Sequence, residues 1–326
     1  MSQDWLLSRD DLAPGFEAPK CHAATLAQTT DGVAVAYFGG ADFGAAQDIW
    51  LLRKNERGWE TARRIAAARA RPDACWNPVL HQVPRGPLLL FFKQGPDCIN
   101  WSGMLVRSSD AGRTWTPPVR LPSGIHGPIR SRPTALPDGS LLCPSSTERG
   151  AWHVHFERTT DQGRTWTRTP DVAAPPDVDA IQPTILAWPD GRLQALCRTH
   201  RSGIVETTSS DGGATWTELR ATHLPNPNSG IEGLVLRDGR ALLLYNPTST
   251  PAGNWCGPRT PLSLAVSRDG RTWDRVGDLD DASDELSYPA AIQTADGRVH
   301  VAYTAGDGWS GMRHAVLDPT AIPGGR

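Results

Sequence analysis

The chain has no surplus of positive charge. Its 33 lysines and arginines stand against 35 aspartates and glutamates, and the pI is near 6.5. No basic field is therefore available to attract nucleic acid. No apolar stretch approaches the roughly 18 residues of a membrane-crossing helix. The opening MSQDWLLSRDDLAPG places acids where a secretory leader needs a basic and then an apolar run. The six cysteines, Cys21, Cys75, Cys98, Cys143, Cys197 and Cys256, lack the paired spacing of a metal site. Cys143 and Cys197 lie inside apolar runs, LLCP and QALCRT, and read as buried free thiols. Together these features predict a cytoplasmic protein. His126, His153, His155, His200 and His223 form no ligand spacing with acids or cysteines, so no metal is expected. Helical periodicity is missing as well: apolar residues alternate or run together over about four to six positions, as in strands.

What is present is repetition. Ser108–Trp115 reads SSDAGRTW, Thr159–Trp166 reads TTDQGRTW, Ser209–Trp216 reads SSDGGATW, and Ser267–Trp273 reads SRDGRTW, one residue short. The tryptophans are 51, 50 and 57 residues apart. A fixed period of this size marks stacked copies of one unit that cannot bury its own apolar face. The motif works as a turn. Asp accepts backbone N–H groups, Gly supplies positive φ, and Thr and Trp begin the next strand. These aspartates therefore read as structural. The pattern resembles the Asp-box of the sialidase and BNR-repeat superfamily.

A second series of turns, Asp31-Gly32, Arg85-Gly86, Asp138-Gly139, Asp190-Gly191, Asp238-Gly239 and Asp296-Gly297, separates short apolar runs and counts six units. In the first unit the box has decayed to KNERGW, keeping Trp59. Six antiparallel meanders arranged radially predict an all-β, six-bladed β-propeller. It is read as one domain over 1–326, with about 1–18 as an N-terminal extension or closing strand.

In a meander, inner-strand starts, second-strand ends and third-strand starts meet at one mouth, and the Asp-boxes lie at the other face. Aligned inner-strand starts are His22, Asn77, Arg132, Gln182, Glu232 and Tyr288, at intervals of 55, 55, 50, 50 and 56. Second-strand ends include Lys93, Ser146, Arg198 and Asn246. Third-strand starts include Asp48, Trp101, His153 and Arg259. This mouth is predicted to collect Arg132, Arg198, Arg259 and Lys93, a set suited to a carboxylate. Trp76, Trp101 and Trp152 are either platforms for a sugar ring or packing between blades.

The sialidase resemblance covers most of the chain at the level of repeats. It implies a Tyr nucleophile, an Asp acid/base, an arginine triad for the substrate carboxylate, and no cofactor. Tyr288 in SYPAAIQ matches the nucleophile strand, Arg198 and Arg259 match the second and third arginines, and Asp48 stands at the acid/base place. His22 replaces the first arginine, and Gln182 replaces the Glu partner of the tyrosine; Glu232 one blade over is the candidate substitute. The phrases CWNPVL, LPNPNSG and ELSYPAAIQ are similar to a bacterial group of predicted neuraminidases. The expected partner is an acidic carbohydrate, with no nucleic acid, no membrane and an open oligomeric state. Three functions fit: an exo-acting glycosidase on an acidic sugar, a uronate-specific lyase with His22 or Tyr288 as base, and a non-catalytic carbohydrate-binding propeller.

Overall fold

The computed structural model describes residues 3–12, 18–41, 47–68, 73–201 and 203–324. It is a six-bladed β-propeller built from six antiparallel sheets. Blade 1 runs Lys20–Thr29, Gly32–Gly40, Asp48–Asn55, with Gly58–Trp59 and Arg63–Ala66 both pairing the third strand. Blade 2 runs Ala74–Gln82, Leu88–Gly95, Ser102–Ser108 and Val119–Arg120; blade 3 runs Thr134–Ala135, Leu141–Thr147, His153–Thr159 and Thr167–Arg168. Blade 4 runs Ala180–Ala187, Leu193–Thr199, Ile204–Ser209 and Arg220–Ala221; blade 5 runs Glu232–Val235, Ala241–Tyr245, Leu262–Ser267 and Asp274–Asp280. Blade 6 runs Leu286–Gln293, Val299–Ala305 and Gly311–Leu317, and its outer strand is the N-terminal Leu6–Leu12. The first and last described strands thus share one sheet, which closes the ring and leaves only the short outer edge of each blade.

Each apolar cluster straddles two neighbouring blades, because a twisted sheet is apolar on both faces when it has a sheet on either side. Leu142, Phe156, Ala195 and Val205 join blades 3 and 4; Leu242, Leu264, Val301 and Tyr303 join blades 5 and 6. The same holds at the other four junctions. Burial of each large side chain contributes about 1.5–3 kcal/mol, and none of it is available to a blade alone.

The repeated turn shows why its residues recur. In the second copy, Asp161 Oδ1 accepts from Thr165 N at 2.8 Å, Thr159 Oγ1 accepts from Gly163 N at 2.8 Å, and Trp166 Nε1 donates to Gly163 O at 3.2 Å. Gly163 has φ +89°, and a Cβ on it would lie 2.6 Å from Leu105 Cδ2 of the preceding blade. Glycine is required twice here, for conformation and for close approach. Gly213 repeats this against Leu142, and Trp216 stacks on Phe156 with ring centroids 3.7 Å apart. The turn is a staple from each blade to the one before it.

The six hairpin turns fall where the sequence places them. In the one turn without Asp, Arg85 takes the positive φ, at 54°. All six cysteines are free, and Cys143 and Cys197 are buried. Among the described residues no group of His, Cys, Asp or Glu is placed to hold a metal ion, and no helix is long and apolar enough to cross a membrane.

Candidate active site

Equivalent positions on the six inner strands follow from register. The inner residues paired beside the hairpin turns are Gln28, Gln82, Ala135, Ala187, Val235 and Gln293, opposite Val33, Leu88, Leu141, Leu193, Ala241 and Val299, with one further pair, Thr29 and Gly32, in blade 1. Stepping back 5 residues in each strand gives a ring of Ala23, Asn77, Arg130, Gln182, Gly230 and Tyr288. Four of these have φ between 40° and 54°: Ala23, Asn77, Gln182 and Tyr288. Each sits in a register shift of its strand. Such a bulge adds one residue and re-aims the side chain, here at the site-facing end of the central channel.

This ring corrects the sequence alignment in three blades. In blade 1 the ring position is Ala23, one residue past His22. In blades 3 and 5 it is Arg130 and Gly230, each two residues before the predicted Arg132 and Glu232. A two-residue slip keeps the side chain on the channel side of the strand and moves it one layer along the axis. Arg132 and Glu232 therefore lie one layer further from the mouth, and Arg130 takes the place given to Arg132.

Tyr288 is the centre of the ring. Arg198 Nη1 donates to its phenol oxygen at 2.7 Å. The guanidinium carbons of Arg130, Arg198 and Arg259 lie 5.3, 5.4 and 5.6 Å from the centre of its ring. Arg130 is fixed by donation to Ile231 O at 2.5 Å, to Pro289 O and to Ser131 Oγ at 3.2 Å. Arg259 pairs with Glu285 at 3.3 Å, and Glu285 in turn accepts from the Ser287 hydroxyl. The Nε atoms of Arg130, Arg198 and Arg259 are buried without a partner. Buried donors without acceptors are what an anion would satisfy.

His22 joins the cluster from its neighbouring position. Its ring lies 4.2 Å from that of Tyr288 and 4.7 Å from that of Trp309, and Nδ1 meets Thr304 Oγ1 at 3.0 Å. Burial holds the imidazole well below its ordinary pKa, and the charges of Arg259, Arg130 and Arg198 push the same way. His22 is accordingly neutral at physiological pH.

The other predicted residues separate. Asn77 and Gln182 hold ring positions; Gln182 N donates to Ser146 Oγ at 3.1 Å and its side-chain oxygen is buried without a partner. Asn246 is fully buried and gives its amide to Arg259 O, Pro261 O and Leu286 O at 2.9–3.0 Å, so it braces the Arg259 segment rather than facing a ligand. Lys93 is fully buried, donates to Pro128 O at 2.8 Å, and has its pKa pushed down to about 7 by burial; it is not at the mouth. Trp76 donates to Gly95 O and packs edge-on against Phe38, between blades 1 and 2. Trp101 lines a separate cavity of about 640 Å³ with Arg120, Arg149 and His126. Asp48 accepts from Ala68 N at 3.0 Å and Arg64 at 3.4 Å, both on its own blade.

Residues missed in the sequence complete the site. Arg130 and Gly230 were hidden by the slip. Glu285 precedes the Tyr288 strand without any motif. Trp255 is 65% exposed, stacks parallel to His200 at 5.9 Å, and meets Trp152 edge-on at 5.5 Å. Arg198 lies over Trp152 at 5.9 Å, so this aromatic wall stands beside the arginines.

Comparison with known proteins agrees with this fold. The family profile described as BNR repeat-like domain matches residues 31–301. An anhydrosialidase of Macrobdella decora is 26% identical over 186 residues, 53% of this chain; the match spans only 24% of that longer protein. A protein of unknown function from Dyadobacter fermentans superimposes with a TM-score of 0.78 at 18% identity, covering 96% of this chain and 98% of that one. The NanB sialidase of Streptococcus pneumoniae superimposes at 0.77 with 12% identity, covering 99% and 72%. An intramolecular trans-sialidase from Ruminococcus gnavus superimposes at 0.72 with 13% identity, covering 95% and 96%. With a profile match over most of its length and a propeller of the sialidase form, the chain belongs to the BNR repeat-like family of the sialidase and BNR-repeat superfamily.

Proposed function

We propose that this protein is an exo-acting glycosidase for an acidic sugar, sialic acid or a related ulosonic or uronic acid. The observation that carries the reading is the Arg198–Tyr288 hydrogen bond within three guanidiniums whose Nε donors are all buried and unpartnered. Arg198 and Arg259 receive the substrate carboxylate, and Trp255 and Trp152 flank the sugar. Tyr288 oxygen attacks the anomeric carbon as the bond to the leaving oxygen breaks, and its phenol proton passes to solvent water. A phenol nucleophile avoids bringing a second carboxylate against an anionic substrate. Without a Glu at Gln182, the positive field of Arg130, Arg198 and Arg259 takes over stabilisation of charge developing on the phenol oxygen. The leaving oxygen takes its proton from an acid, for which Asp48 is the sequence candidate. Water then cleaves the glycosyl–tyrosine bond, releasing the sugar and restoring the phenol.

The test is release of the aglycone from a simple α-sialoside by purified protein, beside Tyr288→Phe. Loss of release in a folded mutant supports the reading; near-normal release removes Tyr288 from the mechanism. Product mass adds a further distinction. The relatives named anhydrosialidase and intramolecular trans-sialidase make a sugar hydroxyl a plausible acceptor in place of water, and that product is lighter by one water.

A second reading, β-elimination from a uronate, rests on His22, a neutral imidazole against Tyr288. The arginines that keep it neutral also make it a weak base, so hydrolysis is better supported. Elimination makes an unsaturated sugar that absorbs in the near ultraviolet; reducing ends accumulating at constant absorbance exclude it. A propeller that only binds gives affinity for the acidic glycan and no turnover.

A further inference from the structure

The central channel has a second mouth, at the face where the inner strands end. A cavity of about 810 Å³ opens there, with walls from all six blades. The walls are mostly apolar and include Leu26, Leu80, Val83, Ile185, Val235 and Ile292. The glutamines at its rim are occupied: Gln82 donates to Val83 O and Gly86 O, Gln293 donates to Gly297 O, and Gln28 accepts from Ala295 N. A polyhydroxylated sugar finds few free partners here, whereas an apolar body is well matched.

Two arginines break the apolar lining, the exposed Arg85 and the partly exposed Arg132. Arg132 lines the cavity with a side chain 35% exposed. Its Nε faces Glu232 at 3.5 Å, and its terminal nitrogens make no hydrogen bond among the described residues. Glu232 does not neutralise it fully, because the same carboxylate is shared with Arg130 at 3.6 Å. Two guanidiniums against one carboxylate leave one positive charge in excess. His81, also in the lining, adds no charge: burial and the nearby Arg132 push its pKa down to about 4.

We propose that this second mouth binds a monocarboxylate with an apolar body, its carboxylate on Arg132 and its chain along the Leu26, Leu80, Ile185 and Ile292 walls. The planar guanidinium fork suits a carboxylate. A monoanion matches the one excess charge of the Arg132, Glu232 and Arg130 group, and each further negative charge adds a desolvation cost in an apolar cavity. The site is separate from the Tyr288 mouth and stands whether or not that mouth is catalytic.

Isothermal titration of the whole protein with octanoate tests it. The expected result is one saturable site, weakened at least about tenfold, about 1.4 kcal/mol, in Arg132→Gln and unchanged in Arg198→Ala. Val235→Trp fills the cavity from a half-buried wall position, makes no change to the ion pairs, and abolishes binding if the chain sits there. No saturable binding to the wild type overturns the proposal. So does binding that survives both Arg132→Gln and Val235→Trp, or that is lost only in Arg198→Ala, since the carboxylate would then sit at the other mouth. If Arg132→Gln fails to fold, Val235→Trp decides alone.

Discussion

Arg130 fills the space that a side chain at position 230 would take. A Cβ built on Gly230 lies 2.8 Å from Arg130 Nε and 3.2 Å from Tyr288 Cγ. The glycine on blade 5 is the gap through which an arginine from blade 3 reaches the backbone of blades 5 and 6 beneath the tyrosine. Gly230→Ala is expected to displace Arg130 or tilt the phenol, at about 1–3 kcal/mol of overpacking. Glycosidase turnover falls further than the melting temperature alone would explain. A mutant with unchanged kcat shows that Arg130 placement is irrelevant to the reaction.

Tyr288→Phe keeps the ring between His22 and the arginines and removes only the oxygen. Turnover is expected to fall on the order of 10³-fold or more, as for loss of a nucleophile, with affinity for the free acidic sugar retained. Affinity is followed by tryptophan fluorescence, since Trp255 and Trp152 flank the site.

Arg198→Lys replaces a planar fork with a point charge. The bond to the phenol oxygen and the aimed Nε are both lost. A charge-assisted hydrogen bond contributes about 1.5–3 kcal/mol, so kcat/KM is expected to drop by roughly 10- to 100-fold. Recovery of wild-type kinetics by lysine indicates that only net charge matters.

Asp48→Asn separates an acid from a structural carboxylate. If Asp48 protonates the leaving oxygen, hydrolysis of a natural glycoside falls far more than that of an aryl glycoside with a good leaving group. Equal losses on both substrates assign Asp48 to its bonds with Ala68 and Arg64 alone.

Acid unfolding is expected in two stages. Burial holds His81 and His126 down to about 4, and His22 is also held well below its ordinary value by burial and the arginines. The unfolded chain takes up these protons near 6.5, so stability falls as pH drops below that value and until the folded groups titrate. In the repeated turns, bonds from the threonines hold Asp110 and Asp211 well below the carboxylate range. At Asp161 burial is the largest single influence and pushes up, but the bonds from Thr165, Thr159 and Arg164 together outweigh it and bring the carboxyl down to about 2. Their contribution is present above about 3.8 and is lost as pH falls through the folded values. Melting temperature against pH checks both stages, and Asp161→Asn should flatten only the lower one.

The blades were legible from the sequence, and the site only in part. Trp115, Trp166, Trp216 and Trp273 mark local turns whose bonds lie within 5 residues of one another, so a short window contains the whole device. That Tyr288, Arg198 and Arg259 gather at one mouth was also legible, because each stands at the end of its strand opposite a marked turn. Trp255 and Glu285 were not, as they lie in connections without periodicity.

By itself the sequence determined the number of blades, their meander order and the face on which Tyr288, Arg198 and Arg259 gather, since turn residues and apolar alternation act through neighbours along the chain. Only the tertiary structure decided which side chains share a layer. Bulges at Ala23, Asn77, Gln182 and Tyr288 add a residue to some inner strands, and the small Gly230 lets Arg130 cross the channel. Arg130 and Arg132 both point toward the axis, so alternation cannot tell them apart. The layer each occupies is set by hydrogen-bond register with the next strand, which sends one beneath the tyrosine and the other to the opposite mouth.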